Sequence, residues 1–394
     1  MKRTLALVVL ALLITGAALY ADDAKVMPSL VGRFYVAPNF SFAPGSYNSN
    51  GTYKDYKDGS AKIFNLGFAL EFGATDWITA AVQWVPGVTP WSDVKPAAPA
   101  SFPITAGANT NGVADLFVGA KLQIVGEKAP VVSDMFRACI APGVIAPFNG
   151  PDYEKEAQNV LTGKDATLNN MDNHVFGYGA RLYFDYIINE HFFINLYNQT
   201  IFYAGKQDLN KQGPTLAGAK TLIPEGIAQM TYAITYAQAI QGGADAATAD
   251  ALATAQAAGA KAGAAAGLKD AKGTVDYKYK LTFEIEPQFS TPIGDGISFS
   301  AGLPINYQYK PAYEYSVSNI TETLMPNVSL KSTLLDQLVG KDSHILTLNP
   351  NVSVFLMKTF LPLEFKLSYS LPVYGMNAMD TNTVVFQIKA YFKL

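Results

Sequence analysis

Three observations predict an all-β chain, a transmembrane antiparallel β-barrel of about 12 strands, with 14 as the alternative, long external loops and one alanine-rich helical loop. The first is the segment VDYKYKLTFEIEPQF at residues 275–289, where Val275, Tyr277, Tyr279, Leu281, Phe283, Ile285 and Phe289 alternate with Asp276, Lys278, Lys280, Thr282, Glu284, Glu286 and Gln288. Successive side chains of a strand point to opposite faces, so the segment has one apolar wall and one polar wall. At about 3.3 Å per residue it extends roughly 50 Å, whereas strands of soluble domains usually run about five or six residues. That length suits a tilted membrane crossing. The second observation is composition. Of 394 residues, 49% are hydrophobic and 12% aromatic but only 15% are charged, against about 25% charged in ordinary globular chains. The third is that long and short connections alternate along the chain, a parity that a soluble β-sandwich has no reason to keep.

At the amino end, residues 1–21 read as a secretory signal peptide. Lys2 and Arg3 precede the apolar run 5–13, and Ala18-Leu19-Tyr20-Ala21 stands before Asp22, which places cleavage after Ala21. An uncleaved amphipathic anchor is the alternative. The sole cysteine is Cys139, so neither a lipoprotein nor an intrachain disulfide is expected. Beyond the signal no stretch of about 18 residues is apolar and uncharged, so no membrane helix is predicted. The formal net charge of −3 falls to −5 once Lys2 and Arg3 are removed. With no basic patch, nucleic acid is not an expected partner.

The strands follow in order. Residues 30–42 alternate Phe34, Val36, Phe40 and Phe42 with Arg33, Tyr35, Asn39 and Ser41. Residues 64–72 and 78–84 form a hairpin about the turn Gly73-Ala74-Thr75-Asp76. The fourth and fifth strands, 114–124 and 136–144, set Leu116, Val118, Phe136 and Ile140 against Asp115, Lys121, Arg137 and Cys139. The sixth and seventh, 176–186 and 192–202, flank a short turn at 188–190, and Asn198 and Thr200 interrupt the apolar face of the seventh. The opening segment is the eighth strand, followed by 297–307, 346–354, 363–373 and 384–394. Prolines at 142, 287, 304, 350 and 372 remove ladder donors and mark bulges, strand ends or curvature.

Long connections are predicted at 43–59, 86–111, 149–173, 205–273 and 311–343, and the turns between them are short. Outer-membrane barrels have short periplasmic turns and long external loops, so with both termini in the periplasm every long loop lies outside. Backbone physics requires closure, because each unpaired N–H or C=O in hydrocarbon costs several kcal/mol. In the longest loop, 17 of the 34 residues from Ala233 to Ala266 are alanine. Its helix propensity predicts one or two helices, broken at Gly242-Gly243 and Gly259. A lid or plug over the pore mouth and a low-complexity loop are equally open readings.

The polar faces nominate lumen-lining residues: Arg33, Glu71, Asp115, Lys121, Arg137, Arg181, Asp185, Asp276, Lys278, Lys280, Glu284, Glu286, Glu364, Lys366 and Lys389. Mixed charge of this kind serves either as a conduit for solutes or as interstrand salt bridges filling a narrow barrel. A constricted pathway is favoured over a wide porin, and no ring of one charge sign stands out. The histidines are His174, His191 and His344. Asp172 with His174, and Asp342 with His344, sit where an outer-membrane hydrolase could carry an acid and a base. Ordinary polar residues at a loop junction are the favoured reading, and no catalytic residue is nominated. No zinc spacing, phosphate loop or dinucleotide fingerprint occurs, so no metal or cofactor is expected. The loop aromatics Tyr47, Tyr53, Tyr56 and Trp91 suit surface or ligand binding, loop packing or an interfacial girdle.

The stretch GVADLFVGAK at 112–121, followed by ACIAPGVIAP at 138–147, resembles outer-membrane barrels of the phenol-degradation transporter type, broadly related to the FadL-type fatty-acid channels. The loose cleavage site and alanine-rich insertion are similar to those of spirochaete outer-membrane proteins. This resemblance implies an outer-membrane channel for passive uptake of small hydrophobic or amphipathic molecules. A general porin for polar solutes and a surface adhesin on a barrel scaffold are the alternatives. Its expected partners are outer-membrane lipid, the barrel-assembly machinery during insertion, and a small-molecule solute. The chain departs from FadL-type channels in two ways. Only about eight residues separate Ala21 from the first strand, where those channels place an amino-terminal hatch in the lumen. The chain also ends in Leu394 rather than an aromatic, with Phe392 two residues earlier on the same face.

Overall fold

A computed structural model describes residues 23–56, 60–95, 113–148, 175–209, 215–320 and 340–394, with short pieces at 108–109, 155, 159, 162, 164, 166–167, 323–325 and 328–329. The signal-peptide reading and the pair Asp172 and His174 lie outside the described residues. No described helix is long and apolar enough to cross a membrane.

Period-two alternation organises twelve barrel strands. These are β1 (Val31–Tyr47), β2 (Ser60–Thr75), β3 (Ile78–Lys95), β4 (Leu116–Gly126), β5 (Phe136–Ala146), β6 (Gly177–Ile187) and β7 (Phe192–Tyr203), then β8 (Tyr279–Gly294), β9 (Ile297–Gly302 and Ile305–Lys310), β10 (Ser343–Leu348 and Asn351–Leu356), β11 (Leu363–Met376) and β12 (Ala378–Lys393). Neighbours pair antiparallel around the sheet, and β12 closes on β1 from Val31↔Lys393 to Tyr47↔Ala378. Closure leaves no open edge between first and last strand, as a hydrocarbon environment demands.

The two faces are inverted relative to a soluble protein. Leu182 and Phe283 are 49% and 47% exposed on the outside, whereas Asp185 and Glu284 are 0% and 1% exposed within. Cross-strand aromatic pairs reinforce the outer wall: Phe68 with Trp84 at 6.2 Å, Phe136 with Phe184 at 5.7 Å and Phe365 with Phe386 at 6.4 Å between centroids. Such pairs contribute about 0.5–1.5 kcal/mol each beyond their buried area. Asn198, on the outer face of β7, donates to the Thr282 carbonyl at 3.2 Å, so its amide is satisfied there.

Prolines set the local irregularities. Pro304 splits β9 and Pro350 splits β10, and the ladder is completed around them by bonds from Asn349 N to Pro304 O (2.8 Å) and from Tyr369 N to Pro350 O (3.0 Å). The third strand does not stop at residue 84. It passes the irregularity at 86–88 and stays paired with β2 out to Ser60↔Lys95, so the loop predicted at 86–111 is shorter.

The segment 275–289 is two elements rather than one. A strand Lys272–Asp276 is separated from β8 by Tyr277 and Lys278 and joins an external three-stranded sheet between Lys206–Asp208 and Glu314–Ser318. Val275 and Tyr277 are buried in the core of that external unit with Leu209, Leu216, Ile223 and Leu268, and do not face lipid. Two helices contribute the remaining apolar side chains, α1 (Thr215–Gln241) and α2 (Ala246–Leu268). They break at Gly242-Gly243, where Gly243 takes φ +86°, a conformation glycine adopts at no steric cost. Gly259, in contrast, lies within α2 with no break. Asp245 caps α2, its carboxylate accepting from Thr248 N at 2.8 Å.

Two lumen expectations are corrected by the external sheet. Lys278 pairs with Glu314 at 2.9 Å and Asp276 at 3.7 Å, so both Asp276 and Lys278 belong to the external unit and not to the lumen. The bond to Glu314 holds the Lys278 ammonium above the usual lysine range.

Candidate functional site

A row of small inward residues creates space inside the barrel. Ala81 of β3, Gly119 of β4, Gly143 of β5 and Gly179 of β6 lie side by side in register across four adjacent strands. The Phe117 ring lies over this row, so close that a Cβ on Gly143 would stand 2.4 Å from it. Arg181 of β6 places its guanidinium 3.8 Å from the centroid of that ring. Bulkier residues in the row would leave no room for this stack.

Beside this row, on the side of the short turns, lies a cavity of about 340 Å³ walled by residues from all twelve strands, with Ala81 and Gly119 of the row among them. Seven of the residues nominated from sequence line it: Arg33, Glu71, Lys121, Arg181, Glu364, Lys366 and Lys389. Arg33 Nε donates to Glu71 at 3.2 Å and a second guanidinium nitrogen does so at 2.5 Å. Gln83 donates to the other Glu71 oxygen at 3.0 Å and accepts from Arg181 Nη1 at 2.6 Å. The chain Arg33–Glu71–Gln83–Arg181 thereby crosses from β1 to β6 and narrows the lumen. Lys389 and the Tyr391 hydroxyl both donate to Glu364, at 3.0 and 2.6 Å.

Buried just off the cavity, Arg137 pairs with Asp185 at 3.0 Å, Asn306 donates to Glu284 at 2.9 Å, and Gln288 and Asn351 donate to Glu286 at 3.1 Å. Asp115 accepts from Phe148 N at 3.2 Å beside the external end of β4. Lys280 lies on the inner face near the external end of β8, opposite the buried Ile201. These residues face the interior without lining the cavity. Asp276 and Lys278 are the two that do not.

The largest feature missed from sequence is the amino-terminal segment. Residues 23–27 run inside the barrel, and Ala24 is fully buried. Ala24 N donates to both oxygens of Asp185 at 3.1 and 3.2 Å, while Ala24 O accepts from Gln123 at 2.7 Å and from Cys139 Sγ at 2.9 Å. Lys121 donates to Asp23 O at 2.9 Å, and Met27 N donates to Thr79 Oγ1 at 2.7 Å. Side chains of β3, β4, β5 and β6 thus hold this segment through its backbone, and Asp23, Lys25 and Met27 become part of the cavity wall. Residues 23–27, just before β1, thus enter the lumen.

The candidate acid–base residues are engaged separately. His344 Nδ1 meets the Tyr307 hydroxyl at 2.6 Å, whereas Asp342 accepts from Ala312 N at 2.7 Å. His191 Nδ1 lies 3.0 Å from the Ser290 carbonyl. Among the described residues no group of three His, Cys, Asp or Glu side chains is arranged to hold a metal.

No family model matches the chain, and no curated protein does. Solved structures do match. An outer membrane channel from Pseudomonas putida F1 aligns over 95% of this chain and 100% of its own, with a TM-score of 0.55 at 12% identity. The fold is that of an outer-membrane barrel. Weaker matches include a Pseudomonas aeruginosa FadL homologue (TM-score 0.32, 11% identity, 92% of this chain and 90% of that one) and the β domain of the Bordetella autotransporter BrkA (TM-score 0.38, 8% identity, 93% and 100%).

Proposed function

We propose that this protein is an outer-membrane channel for passive uptake of small amphipathic molecules, constricted from within by its own side chains and amino-terminal segment. The observation that carries this reading is a closed cylinder, oily outside, that encloses a polar cavity of about 340 Å³. A barrel serving only as an adhesin scaffold gains most stability by filling its interior, so a retained cavity speaks for passage. The side-chain chain from Arg33 to Arg181 speaks for a narrow path over a wide porin. Rings of Phe117, Phe193 and Tyr183 interleaved with charges in the wall suit molecules with an apolar body and a polar end.

Planar-bilayer recording and liposome swelling test this function. Purified folded protein is expected to give small, discrete conductance steps and to admit solutes of a few non-hydrogen atoms faster than disaccharides. Absence of permeation in a preparation whose electrophoretic mobility still shifts on heating overturns the channel reading.

A further inference from the structure

Two buried cations in the cavity wall stand apart from the ion pairs around them. Arg181 is 6% exposed and Lys366 is 9% exposed, and among the described residues neither has a carboxylate within ion-pair distance. Arg181 gives one nitrogen to the neutral amide of Gln83, stands over the Phe117 ring and interacts with the Tyr183 hydroxyl, and its Nε has no hydrogen-bond partner. Lys366 makes no ion pair among the described residues but acts through space on the buried Glu286 carboxylate, whereas Arg181 has a buried donor without an acceptor. A buried donor without an acceptor, and a buried charge only partly offset, each carry a desolvation penalty that a bound anion relieves.

The lining as a whole has the same bias. Six cationic side chains (Lys25, Arg33, Lys121, Arg181, Lys366 and Lys389) face the cavity with three carboxylates, Asp23, Glu71 and Glu364. Adding the flanking Arg137, Asp185, Glu284 and Glu286 contributes one cation and three carboxylates, and the excess remains cationic by a single charge. Aromatic surface alternates with these cations. Phe117 carries Arg181 at 3.8 Å, Tyr183 carries Lys121 at 4.2 Å, and Phe193 carries Lys25 at 5.6 Å. The cavity volume lies at the small end of the roughly 300–1,000 Å³ typical of ligand pockets.

We infer that this cavity is a binding site for small organic anions with a planar apolar body, the class of aromatic carboxylates, with Arg181 and Lys366 as its anion-recognising residues. The inference rests on the channel reading for its biological sense but not for its test. The carboxylate meets the Arg181 guanidinium and the Lys366 side chain where they line the cavity, and the ring lies among the aromatic side chains of the wall. Neutral molecules of the same shape gain the second contact only.

Benzoate is the probe. Equilibrium dialysis of labelled benzoate against the detergent-purified full chain is expected to show saturable binding, with benzyl alcohol at least about tenfold weaker, the loss of charge-assisted contacts. Arg181→Gln is expected to weaken benzoate by about tenfold or more, and Lys366→Gln, which leaves the Gln83 and Phe117 contacts intact, tests the site if the first variant does not fold. Any of four results overturns the inference: no saturable benzoate binding by folded protein, equal binding of benzyl alcohol, displacement by chloride at equal concentration, or wild-type affinity in the folded variants. Conductance measured on the same preparation separates the two readings. Conduction without benzoate binding removes the anion site alone, and benzoate binding without conduction removes the channel alone.

Discussion

The backbone N–H of Ala24 donates to both carboxylate oxygens of Asp185, at 3.1 and 3.2 Å, and the same carboxylate pairs with Arg137 at 3.0 Å. One buried acid thus joins the amino-terminal segment to the wall of β5 and β6. Asp185→Ala removes the acceptor of the segment and leaves Arg137 buried without its counter-charge. Breaking a buried pair from one side costs about 3–5 kcal/mol. A lowered urea midpoint is expected, and with the segment released, a larger and noisier single-channel conductance. Unchanged conductance in folded Asp185→Ala would mean that the segment does not obstruct the path.

Gly143 tests the small-residue row. Its Cβ position is 2.4 Å from the Phe117 ring, so Gly143→Val must push that ring away from the wall and from beneath Arg181. Overpacking typically costs about 1–3 kcal/mol. The expected outcome is a modest loss of stability with a smaller conductance, since added volume enters the lumen. A conductance equal to wild type would remove the row from the pathway.

Leu182 and its inward neighbours test the orientation of the wall. Leu182 is mid-strand on the outer face of β6, and an arginine at the bilayer midplane of a barrel costs roughly 2–4 kcal/mol. Leu182→Arg should lower folding stability in lipid by that order, whereas Ser300→Lys, inside the lumen, should change ion selectivity with a smaller effect on stability. Equal penalties at both sites would contradict an oily exterior around a polar interior.

Most of this architecture was legible because period-two alternation and loop parity are local signals that survive in a single sequence. Arg33 and Glu71, or Glu364 and Lys389, were placed on one face correctly because a strand offers only two. Asp276 and Lys278 belong to the external unit although their alternation reads as lumen-facing, for a related reason. The alternation runs unbroken through Val275 and Tyr277, and nothing in the pattern distinguishes an apolar side chain facing lipid from one facing α1 and α2. The segment 23–27 was illegible because it is held through backbone groups, which every residue carries, by side chains far along the chain such as Gln123 and Asp185. From sequence alone Gly259 reads as a helix break. It stands in α2 with nothing near its missing side chain, where the cost of glycine, about 1 kcal/mol, is met by its helix-forming neighbours.

Acid should loosen the start of α2. The Asp245 carboxylate accepts from the Thr248 amide at 2.8 Å, and that bond lowers its pKa below the usual carboxylate value. A group whose folded-state pKa is depressed stabilises the folded form above its unfolded pKa, and the contribution is lost as pH falls through the folded value. Hydrogen exchange of the first-turn amides, Ala247 to Ala249, is therefore expected to lose protection on acidification below the normal aspartate range, with the chemical exchange rate corrected at each pH. Asp245→Asn keeps a good cap that does not titrate, so protection should remain and its pH dependence should vanish. Asp245→Ala should lose protection at every pH. If the Asn variant retained the acid sensitivity of the wild type, the titrating group would lie elsewhere in the external unit and the cap would not be its cause.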